Sequence, residues 1–276
     1  MVAAGGGINT PGLLLRSKVP DPHGRLGTRT FIHPVNASTA LMPDPVDGFA
    51  GAPQSTYSDQ FLWRDGVTGR VGFKLEVAPT YPMLSMAITG RLGREHLRRL
   101  APKYRHFQLL IALLRDGFSD QSQGGRVVLK SDGSPVLDYP VTDYLWEGLW
   151  DAYLRMAEVQ FAAGATQVTP AHMAARPYTS LADVKAALAT LPRKPAQALL
   201  FTAHLMGGCA MGADPRTSVT NSDGRHHQVE GLAVIDGSMF PTGLGVNPQI
   251  TICGIAARHA TRLAQDLGGK AKAAAA

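Results

Sequence analysis

The chain has little charge and almost no cysteine. Lys, Arg, Asp and Glu together make up 17% of its 276 residues, and Cys209 and Cys253 are its two cysteines. Neither thiol sits in a CxxC pair, so no disulfide framework is written here and the compartment stays open. No run of about 18 apolar residues occurs, so no transmembrane helix is indicated. A basic segment ahead of an apolar core is also missing, so residues 1–17 form neither a signal nor a transit peptide. The net charge of +6 is scattered. Its densest stretch, Arg91–Arg105, reads as the solvated face of a helix, and without interleaved aromatics it excludes nucleic acid as an expected partner. There is no internal repeat, and no GxGxxG follows a strand.

What is present is a globular composition, 45% hydrophobic, enough for one large domain or two modest ones. Residues 1–17 read as a short strand, a Gly5-Gly6-Gly7 turn and a helix over Pro11–Ser17 with Thr10 as N-cap. Such a beginning reads as the interior of a domain and implies a natural chain that starts earlier. Short β-like runs follow at Ala37–Leu41, Ser55–Leu62 and Gly72–Val77, which predict an antiparallel sheet. Residues 93–115 read as helix with a break near Pro102. Arg126–Lys130 and Pro135–Tyr139 flank Ser131–Ser134 as a hairpin. Thr142 caps a long helix from Asp143 to about Ala163, ended by Gly164, and Ser180 caps another over Leu181–Thr190. The tail from Gly268 is low-complexity.

Two compact motifs carry chemistry. In HLMGGCAMG, His204–Gly212, a histidine suited to proton transfer near neutral pH precedes glycines that permit close backbone approach to a flat ligand. A core histidine in a tight glycine turn is the structural alternative. In the second motif, Gly231–Ala264, a strand at Leu232–Ile235 ends at Asp236-Gly237. A Gly/Pro loop over Pro241–Pro248 then leads into a helix over Gln249–Leu267. The N-terminus of that helix carries free N–H groups and a partial positive charge, suited to an electron-rich ligand edge. Asn247 as its N-cap is the plainer reading. A zinc site from Cys209, His204 and His226 fits none of the usual spacings, so no metal is expected. His226-His227 reads as a solvent loop, His33 and His106 as structural or surface residues, and Trp146 with Trp150 as core packing.

Together these segments resemble the glucose–methanol–choline (GMC) oxidoreductases. The likeness rests on His204, Gly207, Met211, Gly212, Asp236, Gly237, Ser238, Pro241, Thr242, Asn247 and Pro248, and near the N-terminus on Ala4-Gly5, Ile8–Pro11, Leu13–Leu15 and Ser17. The chain departs from the family at Gly208, where threonine is usual, and at Lys18, where glycine is usual. The resemblance implies FAD-dependent oxidation of an alcohol to a carbonyl by hydride transfer to flavin N5. His204 would be the general base and Asn247 would orient the hydroxyl. Asp236, Gly237, Asn247, Pro248 and Gln249 would contact the cofactor. Sugar, sterol and aliphatic alcohols fit equally as substrates, and O₂, a quinone or a cytochrome as electron acceptor. The implied fold is α+β. Residues 1–30 and 196–268 would be pieces of an α/β FAD-binding domain, 31–195 a substrate domain with an antiparallel sheet backed by helices, and 269–276 a disordered tail. Without GxGxxG the chain reads as the C-terminal portion of such an enzyme. A cofactor-free subunit that needs a separate FAD-binding half is the alternative.

Overall fold

The computed structural model describes residues 1–268 apart from 53 and 92, so the expected tail lies outside the described residues. In chain order the strands are β1 (Val2–Ala3), β2 (Val35–Leu41), β3 (Tyr57–Ser58), β4 (Phe73–Val77), β5 (Phe107–Leu114), β6 (Arg126–Leu129), β7 (Pro135–Asp138), β8 (Gln167–Pro170) and β9 (Ala233–Val234). The helices are α1 (Gly6–Arg16), α2 (Pro82–Gly90), α3 (Arg94–Leu100), α4 (Asp143–Ala162), α5 (Leu181–Leu188) and α6 (Gln249–Asp266), with 3₁₀ segments at Ala101–His106 and Gly237–Met239. The fold is mixed α and β, with an antiparallel sheet backed by helices.

Contacts divide the chain into two units. One comprises Met1–His33, Asp116–Pro140 and the chain from Ala203; the other comprises Pro34–Arg115 and Val141–Thr202. Residues 116–140 pack with the first unit.

The second unit is built on a five-stranded antiparallel sheet in the order β3-β4-β5-β2-β8. Its central strand was read from sequence as the end of a helix. LLIALL, residues 109–114, is apolar at every position, so it carries no period to separate a helix from a strand buried on both faces. The Pro102 break decides the matter: helix stops at Leu100, a 3₁₀ segment follows, and the chain becomes strand at Phe107. Val35, Ala37, Leu109, Ile111 and Leu113 form one apolar cluster on this sheet. Against the sheet lies α4, where Asn36 Nδ2 donates to Leu149 O and Ser38 Oγ to Gln160 Oε1, at 2.9 and 2.7 Å. Thr142 Oγ1 accepts from Leu145 N–H, and Gly164 has φ +92°, so the cap and the stop both operate as read. Trp146 and Trp150 are buried and meet edge to face, and Trp150 Nε1 donates to Leu188 O on α5. Each fully buried side chain of such a core contributes about 1.5–3 kcal/mol.

The first unit has far less regular structure. Here β1 pairs in parallel with β9, Val2 opposite Ala233, and β6–β7 form the expected hairpin with Gly133 at φ +79° in its turn. Its core joins Ala3, Leu14, Leu26, Cys209, Val219, Leu232, Val234 and Met239. One correction concerns α1, which starts at Gly6, so that Pro11 lies inside the helix and Thr10 is not its cap. The Thr10 hydroxyl instead accepts from Gly5 N–H at 2.7 Å and donates to Asp236 Oδ2 at 2.5 Å. A second correction is His226, which is buried rather than in a solvent loop.

Candidate functional site

His204 begins a turn whose backbone is held on two sides. Phe31 and Met206 exchange both hydrogen bonds, at 2.7 and 3.0 Å. Gly207, Cys209 and Met211 donate in succession to the carbonyls of Gly237, Ser238 and Met239. The turn requires its glycines: Gly207 and Gly208 have φ +81° and +97°, where a side chain strains the backbone. A Cβ on Gly207 would lie 2.0 Å from the Arg29 carbonyl oxygen. At this glycine the close approach is therefore to the chain's own backbone rather than to a flat ligand.

So held, His204 is half-buried, and desolvation keeps its pKa below the ordinary histidine value. A lowered value leaves the imidazole neutral near pH 7, as proton acceptance requires. Its Nδ1 lies 2.9 Å from Nδ1 of His33, with the rings stacked and their centroids 5.1 Å apart. His33 is fully buried, which sets aside the surface alternative and keeps the structural one. No local signal reveals the pair, because 171 residues separate the two histidines.

Beneath this pair lies a buried carboxyl that sequence reading also missed. Asp116 Oδ2 accepts from Ile32 N–H at 3.1 Å and from the Tyr139 hydroxyl at 2.8 Å. Burial raises Asp116 to about 6, opposed by the Tyr139 hydroxyl and by the backbone of Ile32 and His33.

The remaining residues singled out from sequence occupy the end of β9 and the start of α6. Asp236 binds three donors of its own chain: Gly6 N–H at 2.9 Å and Thr10 Oγ1 on Oδ2, and Ser238 N–H at 2.7 Å on Oδ1. It thus caps the 3₁₀ turn and holds the N-terminus of α1, where a negative charge is favoured. Gly237 is packed so closely that a Cβ would stand 3.2 Å from both Ile252 Cδ1 and Leu205 O. Asn247 is half-buried in the loop ahead of α6; the N-cap position falls to Pro248, with no side-chain bond, and Gln249 opens the helix exposed. Along α6 Ile250 is 86% exposed, and His259 is the one buried residue among its described positions. Among the described residues no cluster of three or more His, Cys, Asp or Glu is placed to hold a metal, and no helix is long and apolar enough to cross a membrane.

The family model of GMC oxidoreductases matches residues 120–256. An uncharacterised GMC-type oxidoreductase of Mycobacterium tuberculosis is 31% identical over 258 residues, covering 93% of this chain and 38% of that protein. A long-chain-alcohol oxidase of Arabidopsis thaliana is 25% identical over 269 residues, covering 92% of this chain and 35% of that protein. In fold, a formate oxidase variant of Aspergillus oryzae, solved to follow modification of its FAD, superposes with a TM-score of 0.59 at 15% identity, over 96% of this chain and 54% of that one. The chain spans 38% and 35% of the length of these two curated relatives. On these matches, with the His204 turn and the β9–α6 segment inside or beside the matched region, the chain belongs to the GMC oxidoreductases and carries the C-terminal domain of that family.

Proposed function

We propose that this chain is the catalytic portion of an FAD-dependent enzyme that oxidises an alcohol to a carbonyl, with His204 as general base. The observation that carries the reading is His204 itself: half-buried, with a pKa that desolvation lowers, and ahead of a backbone turn pinned by the Phe31–Met206 pair and by the bonds of Gly207, Cys209 and Met211. In the reaction His204 accepts the hydroxyl proton at Nε2, and Asn247 hydrogen-bonds the same oxygen and fixes its direction. FAD, when bound, supplies the acceptor for the hydride that leaves the carbinol carbon. The named long-chain-alcohol oxidase relative supports an alcohol donor. The formate oxidase, with its FAD, supports the cofactor. Aliphatic, sterol and sugar alcohols all remain within the proposal, with O₂, a quinone or a cytochrome as acceptor.

The donor set fits that cofactor. The first turn of α6 presents N–H groups that have no partner within the helix, at the positive end of an 18-residue dipole. Such an end suits the electron-rich carbonyl edge of an isoalloxazine. The Asp236 carboxylate has about four acceptor positions. Three are taken by its own chain, which leaves one for a sugar-alcohol hydroxyl. Asn247, Pro248, Gln249, Asp236 and Gly237 would hold the group.

Replacing His204 by alanine in the FAD-loaded enzyme should lower alcohol turnover by about 10²–10⁴-fold, the usual contribution of a positioned base. Unchanged turnover removes His204 from the mechanism. The alternative, a cofactor-free subunit that works beside a separate FAD-binding half, is favoured by one observation: Ile250 and Cys253 on α6 are exposed. Adding FAD to the purified chain decides between the two. Appearance of a bound flavin absorbance band supports independent binding, and a protein that stays colourless supports the subunit.

A further inference from the structure

The contact between His33 and His204 has a chemical consequence. A neutral imidazole carries one N–H donor and one acceptor nitrogen. Two Nδ1 atoms 2.9 Å apart must therefore be one donor and one acceptor. If His33 donates, His204 Nδ1 is occupied as acceptor and its Nε2 carries the proton, so no nitrogen is open to receive another. If His204 donates, its Nε2 keeps a lone pair. We infer that His33 is a positioning residue: its Nδ1 accepts from His204 Nδ1–H and so holds His204 in the tautomer whose Nε2 is the base. This inference rests on His204 being the base proposed above.

The surroundings of His33 are built to hold its ring in place. Its backbone has φ +47°, a left-handed conformation in which an imidazole is uncommon and glycine is at ease. Such strain persists where neighbouring structure over-determines it, and it clusters at functional sites. Here the neighbours are the Phe31–Met206 bridge and the Asp116 carboxyl, which holds Ile32 N–H and is itself held by Tyr139. The His33 ring is fully buried and stacked on His204 at an interplanar angle of 30°. When His204 takes up a proton at Nε2, its Nδ1–H bond to His33 Nδ1 becomes charge-assisted and stronger. The role is that of an orienting group behind a base, filled here by a second imidazole.

The test reads the tautomer directly. In the full chain with ¹⁵N-labelled histidine, long-range nitrogen–proton correlation separates Nδ1–H from Nε2–H imidazoles, and the His204 signal is assigned by its loss in His204→Ala. The expected result is an Nδ1–H tautomer at His204. His33→Gly removes the ring and suits the left-handed backbone, so the fold is kept; in it His204 should return to the Nε2–H form. In the FAD-loaded enzyme the same change should lower kcat by roughly 10²-fold, the scale of a misplaced catalytic group, with little change in KM. An Nε2–H tautomer in the unmodified chain overturns the inference without any variant, as does an Nδ1–H form that persists in His33→Gly. If either occurs while His204→Ala still abolishes turnover, the base stands and only the role of His33 fails.

Discussion

The two units of this chain solve the same problem with different means. In the second, an eight-residue central strand and a 20-residue helix satisfy the backbone through regular ladders, and stability resides in their packed faces. In the first, β1 and β9 are two residues long, and much of the backbone is held by isolated bridges, glycine turns and two carboxyls, Asp116 and Asp236. Every residue proposed here for proton transfer lies in the irregular unit. Regular elements fix side chains at repeating intervals, whereas a base, its orienter and an oxygen ligand must converge from distant parts of the chain. Irregular backbone pinned by buried polar groups permits that convergence.

The contrast can be broken or sharpened by mutation. The largest effect should come from His204→Ala, which should cost about 10²–10⁴-fold in turnover. Its stability cost should stay within about 1–3 kcal/mol, the price of leaving a buried partner at His33. Leu149→Ala cuts the other way. Leu149 is fully buried on α4, so its truncation should lower unfolding free energy by about 2–5 kcal/mol in a denaturant titration while leaving the tautomer of His204 intact.

Asp116→Asn asks whether the irregular unit carries an electrostatic burden. The folded-state value of about 6 is above the unfolded value of 3.8, so the native state binds more protons between those limits. Stability therefore falls as pH rises from about 4 to 6 and levels off above, with about 3 kcal/mol lost to the buried charge by pH 7. Asparagine retains an acceptor for Ile32 and Tyr139 and does not ionise. Thermal melts should show the variant gaining on the parent as pH climbs through that window. A difference independent of pH would mean that the carboxyl is already neutral at pH 7 or already well solvated. His204 acts in the opposite sense: its lowered value makes acidification below the ordinary histidine range destabilising. Comparing Asp116→Asn with its parent isolates the carboxyl. The smallest effect belongs to Thr142→Ala, which removes a helix cap from the regular unit and should cost about 1 kcal/mol.

Legibility from sequence followed the same division. Features decided by neighbours along the chain were readable: the Thr142 and Ser180 caps, the Ser131–Ser134 turn, and the long helices α4 and α6. The β5 strand was not, because a uniformly apolar run looks alike in either conformation until Pro102 and the adjacent strands select one. The start of α1 was misplaced because the carboxylate that holds it, Asp236, lies 230 residues away. Of the candidate site, His204 was visible through its glycines. His33, Asp116 and Tyr139 were invisible, since what marks them is one another.

The Asp236 link bears on how the chain becomes ordered. Gly6 and Thr10 at one end of the sequence wait for a carboxylate near the other, and Val2 waits for Ala233. At about 5–20 residues per second, synthesis separates these partners by roughly 10–50 s. Until then the first helix has neither its anchor nor its parallel strand, while β2, β4, β5 and α4 can assemble from segments already made. The unit with the proposed chemistry should therefore close after the sheet unit during translation.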